Sequence, residues 1–80
     1  MNSNEDKVRS IISKVLKLRK EVINLEDDLV QKYNMDSMQR VEIVIELENT
    51  FDIVISDEAS VELRTVQQII EFLNQVVEQK

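Results

Sequence analysis

The chain has 80 residues and a formal net charge of −6, and it contains no glycine, proline, cysteine or histidine. Without His and Cys it lacks the commonest general base, the soft metal ligands and the thiol nucleophile, and without Gly it lacks the glycine-rich phosphate loops and the standard calcium loop. We therefore expect no catalytic residue and no metal site, and the absence of both helix-breaking residues predicts one small all-α domain over residues 1–80.

The first predicted element is an amphipathic helix over residues 4–19. Its apolar residues recur at the spacing of one helix face, and they are Val8, Ile11, Ile12, Val15 and Leu16. Residues 20–36 lose this period, and we expect an ordered loop with a short turn of helix around Asp27–Gln31. The apolar residues of this loop are spaced to lie over the bundle, and they are Val22, Ile23, Leu25, Leu29, Val30 and Tyr33.

The most apolar helix is predicted from Ser37 to about Thr50. Asp36 and Gln39 have the spacing of a capping box, in which the first side chain accepts from first-turn N–H groups and the second reaches back. The apolar residues cover more than half of the helical wheel, and they are Met38, Val41, Ile43, Val44, Ile45, Leu47 and Phe51. A small bundle cannot bury all of them, so we expect a rim that faces a partner.

Two further helices complete the predicted bundle. Ser56, followed by the acids Asp57 and Glu58, predicts a short helix over about 57–62. Thr65 and Gln68 have the spacing of a second capping box, which opens a last helix to about Glu78. The inward residues of the last helix are Val66, Ile69, Ile70, Leu73, Val76 and Val77. The expected fold is a four-helix bundle with three longer helices, one short third helix and a long ordered loop between the first two.

Charge is divided unevenly along the chain. Residues 1–20 carry six bases and two acids, whereas residues 36–62 carry eight acids and one base, Arg40. The acidic segment repels nucleic acid and anionic lipid and steers a basic partner towards itself. Because no apolar run approaches the ~20 residues of a membrane span and the first residues do not read as a signal peptide, we expect a cytoplasmic protein with no membrane span. We also expect a monomer.

Ser37 is the candidate functional residue, since it lies at the first turn of the most apolar helix. A phosphate ester on this hydroxyl would be near the positive end of the helix dipole. No His or Lys is close in sequence to activate the hydroxyl as a nucleophile, so the position suits modification by another enzyme better than catalysis. The residues alone leave open an ordinary serine at a helix start.

The chain around Ser37 resembles the acyl carrier protein family. The family has Asp-Ser-Leu, then Val-Glu, Leu-Glu, Phe and Thr-Val at fixed spacing. The matching residues here are Asp36-Ser37-Met38, Val41-Glu42, Leu47-Glu48, Phe51, Asp57-Glu58 and Thr65-Val66. The Asp-Ser pair alone is a weak signal, but the whole set in a short acidic chain is specific, and it spans nearly the entire sequence.

The resemblance implies a function and a cofactor. In that family the serine matching Ser37 receives a covalent 4′-phosphopantetheine arm from coenzyme A, installed by a carrier-protein synthase, which is a phosphopantetheinyl transferase. The arm carries acyl groups as thioesters between enzymes of fatty acid or related lipid and polyketide biosynthesis. Asn34, Asp36 and Met38 occupy the positions of the supporting motif. Synthases and acyl-transferring enzymes with basic patches would bind the predicted helix that begins at Ser37. The residues that would contact these partners are Met38, Val41, Glu42, Ile45, Glu46 and Glu48.

Some positions depart from the family pattern. Asn34 replaces the usual Gly before the serine, and Asn is the non-Gly residue best suited to positive φ. Met38 replaces Leu, and Ser56 replaces a common Pro. Gln39 and Arg40 stand where many fatty acid carriers have an acid and a neutral residue, which weakens the negative field beside the serine.

Two alternatives remain open. One is a specialised carrier of aminoacyl, peptidyl or polyketide cargo. The other is an unmodified acidic helical adaptor, whose function would survive Ser37→Ala.

Overall fold

A computed structural model describes residues 3–78, with side chains over 4–76, as three long and two short α-helices. They are α1 (Ser3–Leu16), α2 (Leu29–Tyr33), α3 (Ser37–Phe51), α4 (Asp57–Val61) and α5 (Val66–Glu78), with a 3₁₀ turn at Lys20–Val22. Over this described range the chain has no strand. The all-α fold is confirmed, and the four helices predicted for the bundle are α1, α3, α4 and α5. The short helix expected inside the loop is α2, which lies at Leu29–Tyr33 in place of the predicted Asp27–Gln31.

The end of α1 corrects the predicted helix over 4–19. The helix ends at Leu16, because Lys17 takes the left-handed conformation with φ 57°. The Leu18 N–H then donates to the Ser13 carbonyl at 3.0 Å, which closes the helix in the Schellman manner. Such an ending usually has Gly at the left-handed position, and this chain has Lys17 there. A prediction from the amphipathic period alone therefore extends the helix too far.

The core contains side chains from all the helices except α4, together with loop residues. The fully buried ones are Val8, Ile12, Ile23, Leu29, Leu47, Val66, Ile69 and Leu73. Each Leu or Ile among them contributes about 1.5–3 kcal/mol by leaving water. The inward face predicted for the last helix is confirmed for residues 66–73, Val76 is half-buried, and the side chain of Val77 lies outside the described residues.

The long loop is fixed to the α4–α5 junction. The Leu29 N–H donates to the Arg64 carbonyl at 2.8 Å, and the Gln67 N–H donates to the Leu25 carbonyl at 3.0 Å. The loop is therefore ordered, as predicted, and its apolar residues pack on the core apart from Val22, which is exposed. Val22 was expected over the bundle, but the 3₁₀ turn directs it to solvent.

Helices α1 and α3 run antiparallel. Lys14 Nζ lies 2.9 Å from Glu46 Oε2, whereas Lys7 Nζ lies 5.7 Å from the ring centroid of Phe51. The later residue of α1 therefore contacts the earlier residue of α3, and the start of α3 lies beside the end of α1. None of the helices in the described range is long and apolar enough to cross a membrane.

Candidate functional site

Ser37 is the first residue of α3, and its side chain is exposed. The capping box predicted around it is present. Asp36 Oδ1 accepts the Gln39 N–H at 2.8 Å, and Gln39 Oε1 accepts the Asp36 N–H at 3.1 Å. Asp36 and Gln39 thus cap the helix, and the exposed Ser37 hydroxyl has no hydrogen bond within the described part of the chain.

Asn34 makes the turn that delivers the chain into the site. Its backbone has φ 57° and ψ 37°, the left-handed conformation expected for the residue that replaces Gly. Asn34 and Met35 both donate their N–H groups to the Leu29 carbonyl, and the Met35 side chain is buried. A short polar side chain tolerates this conformation better than most, so the turn forms without glycine.

Two acids in the loop before the site are held by hydrogen bonds. The Asn24 N–H, the Tyr33 hydroxyl and Lys32 lower the pKa of Asp27, with the Tyr33 oxygen 2.8 Å from the carboxylate. Asp28 caps α2, and the Gln31 N–H and the Arg64 guanidinium lower its pKa. These contacts order the loop that positions Asn34, and neither acid touches Ser37.

The partner-facing rim expected on α3 is exposed. Met38 is 73% exposed, Val41 53% and Ile45 49%, and Glu42 next to Val41 is exposed as well. These side chains follow Ser37 along one side of the helix. Together they form an apolar stripe with an acid beside it, which suits brief contact with a basic surface.

The other two acids predicted to bind partners already have contacts within the chain. Glu46 forms an ion pair with Lys14. The Glu48 carboxylate is half-buried and accepts the Ile55 N–H at 2.7 Å, which ties α3 to the segment before α4. The structure therefore brings Glu42 to the rim as a carboxylate with no ion pair among residues 4–76, and gives Glu46 and Glu48 a structural contact first.

A groove of about 300 Å³ separates α3 from α4 on the same side as Ser37. Arg40, Val41 and Ile45 line it from α3, and Asp57, Ser60 and Val61 line it from α4. The three α4 residues were not predicted from the sequence as part of the site. Their i, i+3, i+4 spacing, which places them on one helix face, is the signal that could have found them.

The core beneath this groove is closed. The cavity between Leu29, Ile43, Leu47 and Leu63 measures about 10 Å³, which is about the space of one water molecule. An apolar ligand of several carbons can enter only if the helices move apart.

The chain is similar to known proteins over most of its length. A family model described as "Phosphopantetheine attachment site" matches residues 6–73. The acyl carrier protein of Buchnera aphidicola subsp. Schizaphis graminum is 39% identical over 74 residues, which cover 92% of this chain and 94% of that protein. The acyl carrier protein of Thermosynechococcus vestitus is 34% identical over 79 residues, or 96% and 98% of the two chains.

Proposed function

The chain belongs to the acyl carrier protein family, and from this membership we propose that Ser37 bears the 4′-phosphopantetheine arm. The protein is a carrier of acyl groups and not an enzyme. The observation that supports Ser37 is its exposed hydroxyl, which heads α3 and is left unused by the capping box. Asp36 and Gln39 are occupied in the capping box, whereas the Ser37 hydroxyl is exposed and open to a transferase.

Attachment of the arm is a phosphoryl transfer in which the chain is the substrate. The Ser37 oxygen forms a bond to the phosphorus of coenzyme A that carries pantetheine. The pyrophosphate bond of coenzyme A breaks, adenosine 3′,5′-bisphosphate leaves, and the hydroxyl proton passes to a base of the transferase. The chain has no His to serve as that base, which supports a separate enzyme as the catalyst.

The composition of the chain suits a thioester cargo. The thiol at the end of the arm holds acyl groups as thioesters. A chain with no Cys and no His offers such a cargo neither of the side chains that most readily attack it.

We also propose that longer acyl chains shelter in the core between the helices. The transfer of each CH₂ out of water contributes about 0.8 kcal/mol, which must offset the cost of opening a core whose cavity measures only about 10 Å³. Short acyl groups would therefore stay outside, and the balance would shift with chain length.

The proposed pathway is fatty acid or related lipid biosynthesis, in the cytoplasm and with the carrier as a monomer. The proposed partners are the phosphopantetheinyl transferase and acyl-transferring or synthase enzymes with basic patches. Met38, Val41 and Ile45 would supply apolar contacts and Glu42 the first charge contact. Glu46 and Glu48 would join only by giving up contacts that they make within the chain.

Mass spectrometry tests the attachment directly. The protein is incubated with coenzyme A and a broad-specificity phosphopantetheinyl transferase, and the intact mass is measured. We expect a gain of one phosphopantetheine in the wild type and in Ser10→Ala, which removes an exposed hydroxyl of α1, and no gain in Ser37→Ala. A gain that persists in Ser37→Ala would move the site to another residue.

The unmodified adaptor is the competing function from another class. It predicts no mass gain with any of several transferases and full function of Ser37→Ala in the cell. Acyl species that remain on the protein after purification would instead identify the pathway, because aminoacyl or polyketide cargo differs in mass from fatty acyl cargo.

A further inference from the structure

Arg40 is a cation without an anion in an acidic part of the chain. It is the one base between Asp36 and Glu62, and it lies one turn after Ser37 in α3. Its side chain is half-buried at the α3–α4 groove. Its guanidinium has neither a hydrogen bond nor an ion pair with the residues that the structure describes. A guanidinium without a partner gains a charge-assisted hydrogen bond from an anion that reaches it.

The carboxylates of the groove leave this cation available. Glu48 lines the groove but accepts the Ile55 N–H, and Asp57 lines it from α4. Within the described range neither of them forms an ion pair with Arg40. An anion that enters the groove from the Ser37 end therefore meets an unoccupied guanidinium.

The position of Arg40 suits a phosphate on Ser37. Residues three apart on a helix are neighbours, with about 5–6 Å between Cβ atoms. Helical side chains also lean towards the N-terminus, so a long side chain at 40 covers the turn that contains residue 37. The planar fork of a guanidinium matches two phosphate oxygens at once, which the point charge of Lys does not.

The charges around Ser37 make such a contact favourable. The capping carboxylate of Asp36 directly precedes Ser37, so a phosphodiester on Ser37 places two negative groups side by side. A cation one turn later offsets this repulsion. Arg40 would, in contrast, repel the basic patch of a partner. The charge pattern therefore favours contact of Arg40 with an anion on the chain itself over contact of Arg40 with a partner.

We propose that Arg40 binds the phosphodiester that joins the arm to Ser37 and so holds the start of the arm at the α3–α4 groove. This inference rests on the proposed function, because it requires the arm on Ser37. Arg40 is thereby a binding residue for the prosthetic group. The consequence is an arm whose mobility near the protein depends on salt.

Phosphorus NMR of the loaded protein tests the contact without an activity assay. Wild type, Arg40→Gln, Arg40→Lys and Lys7→Gln are loaded, and the mass gain of each is confirmed first. Lys7→Gln is the matched control, because it removes the same charge at the far end of α3, where Lys7 lies over Phe51. The loaded wild type in urea supplies the resonance of the unbound phosphodiester.

We expect the wild-type resonance to be displaced from the unbound position, and Arg40→Gln to move it back and narrow the line. The ratio of bound to free phosphodiester should fall about two- to fivefold, as for a surface ion pair. The phosphorus resonance of Lys7→Gln should match that of the wild type. The resonance of Arg40→Lys should lie between those of the wild type and Arg40→Gln. If the loaded Arg40→Gln has the wild-type resonance and linewidth, the inference is overturned while the proposed function stands.

A salt titration of the wild type keeps the test independent of any variant. Between about 0.01 M and 1 M salt the Debye length falls from about 30 Å to about 3 Å, so the resonance should move towards that of Arg40→Gln. A resonance that does not respond to salt overturns the inference. A wild type that gains no mass overturns the proposed function together with the inference, and the two failures are thereby distinguished.

Discussion

The first and second parts of α3 differ in what their side chains contact. In residues 37–42, Ser37, Met38 and Val41 are exposed, and the Arg40 guanidinium is left without a partner in the described part of the chain. In residues 43–51, Ile43 and Leu47 are buried, Glu46 binds Lys14 and Glu48 binds the Ile55 N–H. One helix therefore fastens the bundle mainly with its second part, although Ile45 there still belongs to the exposed rim, and it leaves its first part available to other molecules.

The three glutamates of α3 also differ in what they contact, although they have the same side chain. They are Glu42, Glu46 and Glu48. Glu42 faces solvent, Glu46 faces a lysine of α1, and Glu48 closes the chain reversal before α4. What lies opposite each side chain, and not its identity, separates a stabilising contact from an available one.

The largest difference between the two parts should appear in core truncations. Leu47→Ala should lower the free energy of unfolding by about 2–5 kcal/mol, because Leu47 is fully buried and the change leaves a cavity. Met38→Ala, at 73% exposure, should change it by no more than about 0.5 kcal/mol. Urea unfolding followed by circular dichroism measures the free energy of unfolding of both variants. Equal losses of free energy would contradict the difference between the two parts of α3.

The next effect concerns the glutamate that closes the chain reversal. Glu48→Ala should cost about 1–3 kcal/mol, because the N–H of the buried residue Ile55 loses its acceptor. Glu48→Gln keeps a side-chain oxygen and should recover most of the loss. The matched variant in the first part, Glu42→Ala, should leave stability nearly unchanged. A larger loss in Glu42→Ala than in Glu48→Ala would contradict the structural role of Glu48.

The helix cap directly before the first part is an exception to this division, because Asp36 is exposed and yet stabilising. Asp36→Ala should cost about 1 kcal/mol through loss of the bond to the Gln39 N–H, whereas Asp36→Asn keeps an acceptor and should cost less. Ser37→Ala should be nearly neutral in the same unfolding measurement. Stability lost equally in all three variants would mean that the cap does not depend on the Asp36 oxygen.

The loop before the site should respond to acid. Hydrogen bonds lower the pKa of Asp27 and Asp28 below their usual 3.8, so both carboxylates bind protons more readily in the unfolded chain. Their stabilising contribution is therefore complete above about pH 4 and is lost as the pH falls through the lowered values. Asp28→Asn should flatten this part of the acid transition. Denaturation curves at several pH values measure it, and an unchanged pH dependence would exclude Asp28 as a contributor.

The smallest effect should be on encounter with partners. Glu42→Gln should leave the free energy of unfolding unchanged but slow association with a basic partner enzyme about two- to fivefold at low salt. Stopped-flow measurements at rising salt should show the two rates converging. A loss that persists at high salt would indicate a packed contact in place of charge steering.

The parts of the structure that depend on neighbours in sequence were predictable. The capping boxes at Asp36–Gln39 and Thr65–Gln68 mark where α3 and α5 begin, because the groups that bond each other are three residues apart. The inward faces followed from the helical period for the same reason. The end of α1 at Leu16 was mispredicted, because a left-handed Lys17 has no signal in composition or period.

The candidate site divides in the same way. The position of Ser37 at a capped helix start, the turn at Asn34 and the acidic character of the segment could be predicted, since these depend on residue type and local spacing. Which acids are available, the place of Arg40 at a groove with α4 and the closed core follow from how the helices pack. Those properties depend on side chains brought together from distant parts of the chain, such as Lys14 and Glu46. The packing of the helices selects these partners, and no local sequence pattern predicts them.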